Sequence, residues 1–294
     1  MNHSALLYLL LTIMVFFWSG NYIVGKFALR EFPPVLLSGL RVSLAGILMM
    51  PVYWWDRGRV GEKWTRGDVP LLLGLGVCGV ALNQMFFVVG LSLTSVAHSA
   101  IIIGTTPMVV LALAALRGQE RITGRKAVGM AVALVGVALL KLLETTPAGA
   151  RGATWAGDTC VFLAALTFSL FTVYGKAATG RHSTVTVNTF AYVGAALAMA
   201  PVTLWQASRF SFARATWVGW SGVFYMAAFP SVLCYLIYYY ALSHMQPSRV
   251  SAFSYLQPPL VAAMGVVLLN EHVTLGLGVA AAVVLAGVGI AERG

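Results

Sequence analysis

Amides, hydroxyls and aromatic rings interrupt several long apolar stretches of this 294-residue chain. Side chains of these types recognise a small solute by hydrogen bonds and ring stacking, and inside an apolar stretch they need a partner or a wet cavity. The chemistry that they predict is binding of a small molecule. The candidate binding residues are Trp18, Asn21, Tyr22, Asn83, Gln84, His98, Phe168, Tyr235, Ser251 and Tyr255.

One of these polar interruptions occurs twice. WSGNYIVGK runs from Trp18 to Lys26, and FSLFTVYGK runs from Phe168 to Lys176, at a constant offset of 150 residues. We expect the two segments to meet at mid-membrane and to line one central cavity. Ser19 follows Trp18, and Ser169 follows Phe168. The alternative interpretation of these serines is structural: each hydroxyl bonds to the backbone of its own helix. The two lysines are expected to extend towards lipid headgroups.

The composition indicates the solvent in which these residues fold. The chain is 59% hydrophobic and 10% charged, whereas soluble domains carry about 25% charged residues. Such a chain is expected to fold in a bilayer. The net charge of +10 does not indicate nucleic acid, because the basic residues are scattered singly between apolar runs and form no patch.

A spanning helix needs about 20 mostly apolar residues, and ten runs in the sequence meet that requirement. The first run has no lysine or arginine before it and is too long for a signal peptide, so it is interpreted as a permanent span. The predicted spans are 5–28, 34–55, 69–91, 96–116, 126–143, 156–178, 185–205, 217–241, 249–269 and 273–291.

The two halves of the chain match over their whole length. MMPVYWW, from Met49, matches MAPVTLW, from Met199, at offset 150, and RGQERIT matches LLNEHVT at offset 151. The predicted fold is therefore all-α, with ten transmembrane helices built as two repeats. Because each repeat holds five spans, an odd number, the second must be inverted relative to the first, as in many transporters.

The predicted units are a first five-helix repeat, residues 1–150, and a second, inverted repeat, residues 151–294. Basic residues indicate the orientation, because cytoplasmic loops are enriched in them. With a cytoplasmic N-terminus, twelve lysines and arginines fall in cytoplasmic loops and six fall on the opposite side. Both termini are therefore predicted to be cytoplasmic.

Two long segments share one order of features. PMVVLALAALRGQERITGRKAVGMAVALVGV and PPLVAAMGVVLLNEHVTLGLGVAAAVVLAGV each contain a proline, a Glu-x-x-Thr and a glycine-rich helix. With the ten spans, this pattern resembles the bacterial drug/metabolite transporter superfamily, EamA type, over essentially the whole chain. Within that group the chain is most similar to exporters of aromatic and other hydrophobic amino acids. The resemblance implies an inner-membrane transporter that works by alternating access.

Prolines interrupt two equivalent predicted spans. Pro107 and Pro258 are related by the offset of 151, and a proline removes an internal hydrogen bond and bends a helix. The bends are either hinges for alternating access or static kinks that fit the bundle. Small residues in the fifth and tenth spans predict packing faces. These residues are Gly129, Ala133, Gly136, Gly278, Ala282 and Ala286.

None of the nine acidic residues lies at the centre of a predicted span, and Asp158 comes nearest. An exporter of organic cations needs a buried carboxylate, since an unpaired charge at mid-membrane costs at least about 3 kcal/mol. The sequence therefore favours a zwitterion with an aromatic or large hydrophobic side chain, exported down its own gradient. Proton-coupled export of organic cations or other metabolites is the alternative. His98 either contacts substrate or senses pH, or it is a hydrogen-bonded structural imidazole.

A membrane-embedded enzyme and a channel are two other function classes. The sequence has no metalloprotease, serine-hydrolase or phosphate-loop motif, and no charge ring or carbonyl filter. The chain is thus predicted not to be an enzyme and to use no cofactor or metal. Its expected partners are a small-molecule substrate, namely amino acids, and the lipid bilayer, with no nucleic acid.

Overall fold

Helices form the whole of the regular structure in a computed structural model that describes residues 3–60, 64–143, 153–271 and 274–292. The all-α prediction is confirmed for these ranges. The predicted boundary between the two repeats, at residue 150, lies outside the described ranges.

The first half of the chain folds into α-helical segments, several of which join end to end. They are α1 (His3–Ala28), α2 (Pro34–Val60), α3 (Val69–Gly76), α4 (Asn83–Leu93), α5 (Val96–Ile103), α6 (Thr106–Leu116) and α7 (Gly124–Leu142). A π-helical stretch, Val77–Leu82, joins α3 to α4 without a break. Only Gly104 and Thr105 separate α5 from α6.

The second half repeats this arrangement. Its segments are α8 (Trp155–Thr179), α9 (Thr184–Ser208), α10 (Trp217–Met226), α11 (Cys234–His244), α12 (Pro247–Ala252), α13 (Gln257–Leu269) and α14 (Leu275–Glu292). A π-helical stretch, Ala227–Leu233, joins α10 to α11, and a 3-10 turn, Phe253–Leu256, joins α12 to α13. The departures from α-helical geometry thus recur at equivalent places in the two halves, as the sequence repeat predicts.

Eight helices of the described chain are long and apolar enough to cross a membrane. They are α1, α2, α8, α9 and the four composite helices α3–α4, α5–α6, α10–α11 and α12–α13. Large apolar residues such as Leu116 and Trp217, each 84% exposed, lie on their outer surfaces, which a bilayer accommodates and water disfavours. The ten-span prediction is supported in part, since α7 and α14 are not among the eight.

The helices α7 and α14 pack against each other through small residues. A Cβ added to Gly136 would lie 2.6 Å from a methyl group of Val284, and one added to Gly287 would lie 2.5 Å from the backbone nitrogen of Ala133. Close approach of backbones is what small residues permit in membrane helices. The predicted packing face of α7 is therefore confirmed.

The predicted packing face of α14 is wrong. Gly278, Ala282 and Ala286 are exposed, and a Cβ on Gly278 would meet nothing within 4 Å. The buried face of α14 instead contains Ala280 and Val284. Small residues occur on several faces of α14, so their spacing does not specify which face meets α7.

Two glutamates at equivalent positions connect the halves. Glu271 Oε1 accepts the backbone N–H of Val96 at 2.9 Å, at the start of α5. Glu120 Oε1 accepts the backbone N–H of Ser248 at 3.3 Å, in the first turn of α12. A carboxylate at a helix N-terminus satisfies N–H groups that lack helical partners. Each half therefore caps a helix of the other half.

The lysines of the repeated motif do not extend to headgroups, so that prediction is wrong. Lys26 Nζ donates to the carbonyl oxygen of Thr94 at 2.7 Å, and Lys176 Nζ donates to that of Met245 at 3.1 Å. The two acceptors directly follow α4 and α11, where carbonyl groups lack helical partners. The lysines thus satisfy the C-terminal ends of two equivalent helices.

Candidate functional site

A cavity lies where the two halves of the chain meet. The space open to the centres of water molecules is about 70 Å³, several times the ~10–15 Å³ that one water needs, so the cavity has room for several water molecules. Its described lining residues are Trp18, Asn21, Tyr22, Arg41, Asn83, Gln84, Phe87, Ile103, Thr106, Phe168, Tyr235, Ser254 and Gln257.

Most of the predicted binding residues share this cavity. The structure brings together Trp18, Asn21, Tyr22, Asn83, Gln84, Phe168 and Tyr235. It places His98, Ser251 and Tyr255 elsewhere. Contact of any of these side chains with a substrate stays a prediction.

The aromatic wall of the cavity forms where the two copies of the repeated motif meet. Trp18 and Phe168, equivalent at offset 150, have ring centroids 5.7 Å apart in an edge-to-face arrangement. Tyr235 adds a third ring, 6.3 Å from Trp18 and 5.9 Å from Phe168. The expectation that the two motifs meet is confirmed by these contacts.

One hydroxyl bridges the adjacent amides of Asn83 and Gln84. Tyr235 Oη donates to Asn83 Oδ1 at 3.2 Å and accepts from Gln84 Nε2 at 3.1 Å. Asn83 Nδ2 also donates to the carbonyl oxygen of Ala164 at 2.8 Å. Tyr235 is the repeat equivalent of Gln84, at offset 151. The two amides therefore have a fixed orientation at the cavity wall.

Pro230 lies in the π-helical stretch beside the cavity and leaves one backbone carbonyl group without its helical donor. A proline has no N–H, so it cannot donate to the carbonyl group of Met226, four residues earlier. Ser231 Oγ donates to that carbonyl oxygen instead, at 2.9 Å. The carbonyl oxygen of Pro230 accepts Trp18 Nε1 at 3.0 Å, and that of Ser231 accepts Tyr192 Oη at 3.0 Å. The π-helical stretch thus supplies backbone acceptors that orient the aromatic wall.

The polar residues of the repeated motif have different surroundings. Ser169 fits the structural interpretation, since its Oγ donates to the carbonyl oxygen of Ala165 at 2.7 Å. Ser19 Oγ and Asn21 Oδ1 are buried and have no hydrogen-bond partner among the described residues. A buried polar atom without a partner is destabilising, and Asn21 also lines the cavity. Asn21 is therefore the stronger binding candidate of the motif.

His98 faces an acid outside the central cavity. Its Nδ1 lies 3.5 Å from Asp158 Oδ2, an ion-pair distance without hydrogen-bond geometry. Thr94 Oγ1 donates to the other carboxylate oxygen of Asp158 at 2.7 Å. The predicted contact of His98 with a ligand in the central cavity has no support from this geometry, whereas an electrostatic interaction with Asp158 does.

The remaining predicted residues lie in the composite helices α5–α6 and α12–α13. Ser251 is fully buried and its Oγ donates to the carbonyl oxygen of Ser248 at 3.0 Å, and Tyr255 lines a separate pocket. Pro107 and Pro258, the predicted hinges, lie in the first turns of α6 and α13. A proline in a first turn removes no helical hydrogen bond. Each proline therefore begins a new helix segment and does not bend a continuous one.

The cavity lining also includes polar residues outside the ten predicted binding residues, namely Arg41, Thr106, Ser254 and Gln257. Arg41 had a signal, because it is a single charged residue inside an apolar span, and such residues mark functional sites. Gln257 had the same signal as Asn83 and Gln84, namely an amide inside a predicted span, and its Oε1 accepts Tyr22 Oη at 3.4 Å.

The cavity thus presents rings, amides, hydroxyls and one guanidinium, and its described lining includes no carboxylate. No group of three His, Cys, Asp or Glu residues that could hold a metal ion occurs in the described ranges. Groups of these kinds can hold a small solute by stacking and hydrogen bonding.

Proteins of similar sequence are named as transporters. An uncharacterized transporter of Archaeoglobus fulgidus is 26% identical over 286 residues, which are 97% of this chain and 98% of that protein. The uncharacterized transporter YetK of Bacillus subtilis is 26% identical over 253 residues, 86% of this chain and 76% of YetK. The uncharacterized inner membrane transporter YedA of Escherichia coli K12 is 25% identical over 273 residues, 89% of this chain and 84% of YedA. These names state no substrate.

A solved structure and a family model also match this chain. One crystal structure matches with a TM-score of 0.70 and 18% identity, over 98% of this chain and 97% of that one, which supports the fold alone. The model of the EamA-like transporter family matches residues 5–142 and again residues 155–292. Two copies of one family unit therefore account for nearly all of the chain, in agreement with the internal repeat. The chain belongs to the EamA-like transporter family and is a multi-pass membrane protein.

Proposed function

We propose that the chain is a secondary transporter of the bacterial inner membrane that exports amino acids, with a preference for aromatic and large hydrophobic side chains. The lining of the central cavity carries the proposal, because Trp18, Phe168 and Tyr235 form an aromatic wall beside the amides of Asn83 and Gln84. Aromatic rings stack on an apolar or aromatic side chain, and amides donate to and accept from a polar head group.

The charge balance of the cavity supports a zwitterion over an organic cation. The lining residues that the structure describes include no carboxylate. A cation would enter without a counter-charge, at a cost of at least about 3 kcal/mol near mid-membrane. An amino acid carries no net charge and avoids most of that cost.

The proposed transport cycle is alternating access in a bundle of ten spans, with α7 as the fifth and α14 as the tenth. The spans form two inverted repeats, residues 1–150 and 151–294, and both termini are cytoplasmic. The equivalent breaks that precede Pro107 and Pro258 support hinge motion at these points. A reporter fused within residues 144–155 should lie outside the cytoplasm, and a cytoplasmic reporter there would rule this topology out.

Proton-coupled export is the second candidate function. The contact between His98 and Asp158 favours it, because an imidazole and a carboxylate can both bind a proton. Without coupling to protons, export is driven by the concentration gradient of the substrate itself.

Counterflow in proteoliposomes that contain only this protein tests the proposal. Phenylalanine and tryptophan should exchange, and tetraethylammonium should not, with or without an imposed pH gradient. Transport of tetraethylammonium alone would refute the amino-acid assignment. Strict dependence of phenylalanine transport on the pH gradient would replace gradient-driven export by proton coupling.

A further inference from the structure

Arg41 carries a charge inside the helix bundle. It lies about two turns after the start of α2, is 2% exposed and lines the central cavity. A guanidinium keeps its charge under physiological conditions. A charge at this depth costs about 3 kcal/mol or more unless a partner meets it, so the question is which group meets this one.

No acidic residue of the described chain meets Arg41. None forms an ion pair with its guanidinium, and its Nη1 has no hydrogen-bond partner in the described ranges. The equivalent residue of the second half is Ala191, at offset 150, so the repeated fold does not require an arginine here. A buried cation that neither the fold requires nor the protein pairs indicates a ligand that supplies the negative charge.

The guanidinium of Arg41 is held at one end. Its Nε donates to Ser231 Oγ at 2.9 Å. The single proton of that hydroxyl is donated to the carbonyl oxygen of Met226 at 2.9 Å, so Ser231 Oγ acts as an acceptor for Arg41. This anchor leaves Nη1, at the far end of the guanidinium, without a partner among the described residues, and a carboxylate can meet a guanidinium in a fork geometry.

Asn21, which lines the same cavity, carries a hydrogen-bond acceptor without a partner in the described ranges. Asn21 Oδ1 is an acceptor, and the part of the chain that the structure describes offers it no donor. An ammonium group has three donors and no acceptor. Two residues of the cavity lining, beside the aromatic wall, therefore each carry a buried atom without a partner in the described chain, a donor on Arg41 and an acceptor on Asn21.

We propose that Arg41 binds the carboxylate of the transported substrate, which assigns the cargo to carboxylate-bearing solutes and places the ammonium of an amino acid at Asn21. The assignment rests on the proposed function, because it takes the central cavity as the transport site. It implies that a solute without a carboxylate binds weakly even when its ring and its amine are kept.

Binding of three radiolabelled probes to the purified protein in detergent tests this assignment. Phenylalanine carries both charged groups, 3-phenylpropionate lacks the ammonium, and phenethylamine lacks the carboxylate. The wild type should bind phenylalanine about 10- to 150-fold more tightly than phenethylamine, the factor expected for one charge-assisted pair. Arg41→Met should remove most of this preference. Arg209→Met, which removes an exposed arginine just after α9, should keep it.

The pattern of binding distinguishes failure of the carboxylate assignment at Arg41 from failure of the proposed amino-acid transport. Equal affinity of the wild type for phenylalanine and phenethylamine would overturn it, and that comparison needs no variant to fold. An unchanged preference in folded Arg41→Met protein would also overturn it. Binding of 3-phenylpropionate that depends on Arg41, with no binding of phenylalanine, would support the carboxylate site and refute amino-acid transport. Binding of none of the three probes would refute both.

Discussion

The Tyr235 hydroxyl should hold the cavity wall in shape, and Tyr235→Phe removes it while leaving the ring in place. The variant loses the bond to Asn83 Oδ1 and the bond from Gln84 Nε2. The ring contacts with Trp18 and Phe168 remain, so the change isolates the hydrogen bonds from the packing.

The size of the effect follows from the two lost bonds. Hydrogen bonds between membrane helices contribute about 0.6 kcal/mol on average and at most about 1.7 kcal/mol each. The two bonds of Tyr235 have ordinary lengths of 3.2 and 3.1 Å, so values near the average apply. Asn83 keeps its bond to Ala164, which limits the penalty for the freed amides. We expect the free energy of unfolding to fall by about 1–2 kcal/mol.

Thermal unfolding in detergent and phenylalanine counterflow measure this effect. The apparent affinity for phenylalanine should fall, because the two amides lose their fixed orientation at the cavity. Tyr174→Phe is the matched control, since the Tyr174 side chain is 39% exposed and its ring, which stacks on Arg117, is kept. If Tyr235→Phe unfolded and transported like the control, the hydroxyl would not organise the cavity.

Three further outcomes can be measured. His98→Ala removes the side chain that faces Asp158 and should change the pH profile of phenylalanine counterflow or its apparent affinity, and an unchanged profile and affinity would leave His98 as a structural imidazole. Gly287→Val should lower the free energy of unfolding by about 1–3 kcal/mol, because a Cβ there would lie 2.5 Å from a backbone nitrogen of α7; equal stability of Gly287→Val and the control Gly278→Val would refute this packing. The hydroxyl and backbone N–H of Thr216 hold the pKa of Glu31 below its ordinary value, so the stability from this contact is full above the unfolded-state pKa and is lost as pH falls through the lower folded-state pKa. Glu31→Gln should therefore lower the Tm near about pH 7, with a difference that narrows towards about pH 3, and a difference that stayed constant would contradict that linkage.

Much of the architecture could be predicted from the sequence because the bilayer imposes simple local requirements. A span needs about 20 apolar residues, so the helices follow from composition alone. The match between the motifs that begin at Trp18 and Phe168 predicted that they meet, because equivalent segments of two repeats join at the centre of the molecule.

Only the tertiary structure decided which face of each helix meets the cavity. His98 faces Asp158, whereas Arg41 lines the cavity through an anchor on Ser231, 190 residues away in the chain. In a membrane both the lipid-facing and the buried sides of a helix are apolar, so the 3.6-residue period that marks the buried face of a soluble helix is weak. The rotation of each helix is set by close packing and buried hydrogen bonds with helices distant in sequence, and these contacts exist only in the folded chain.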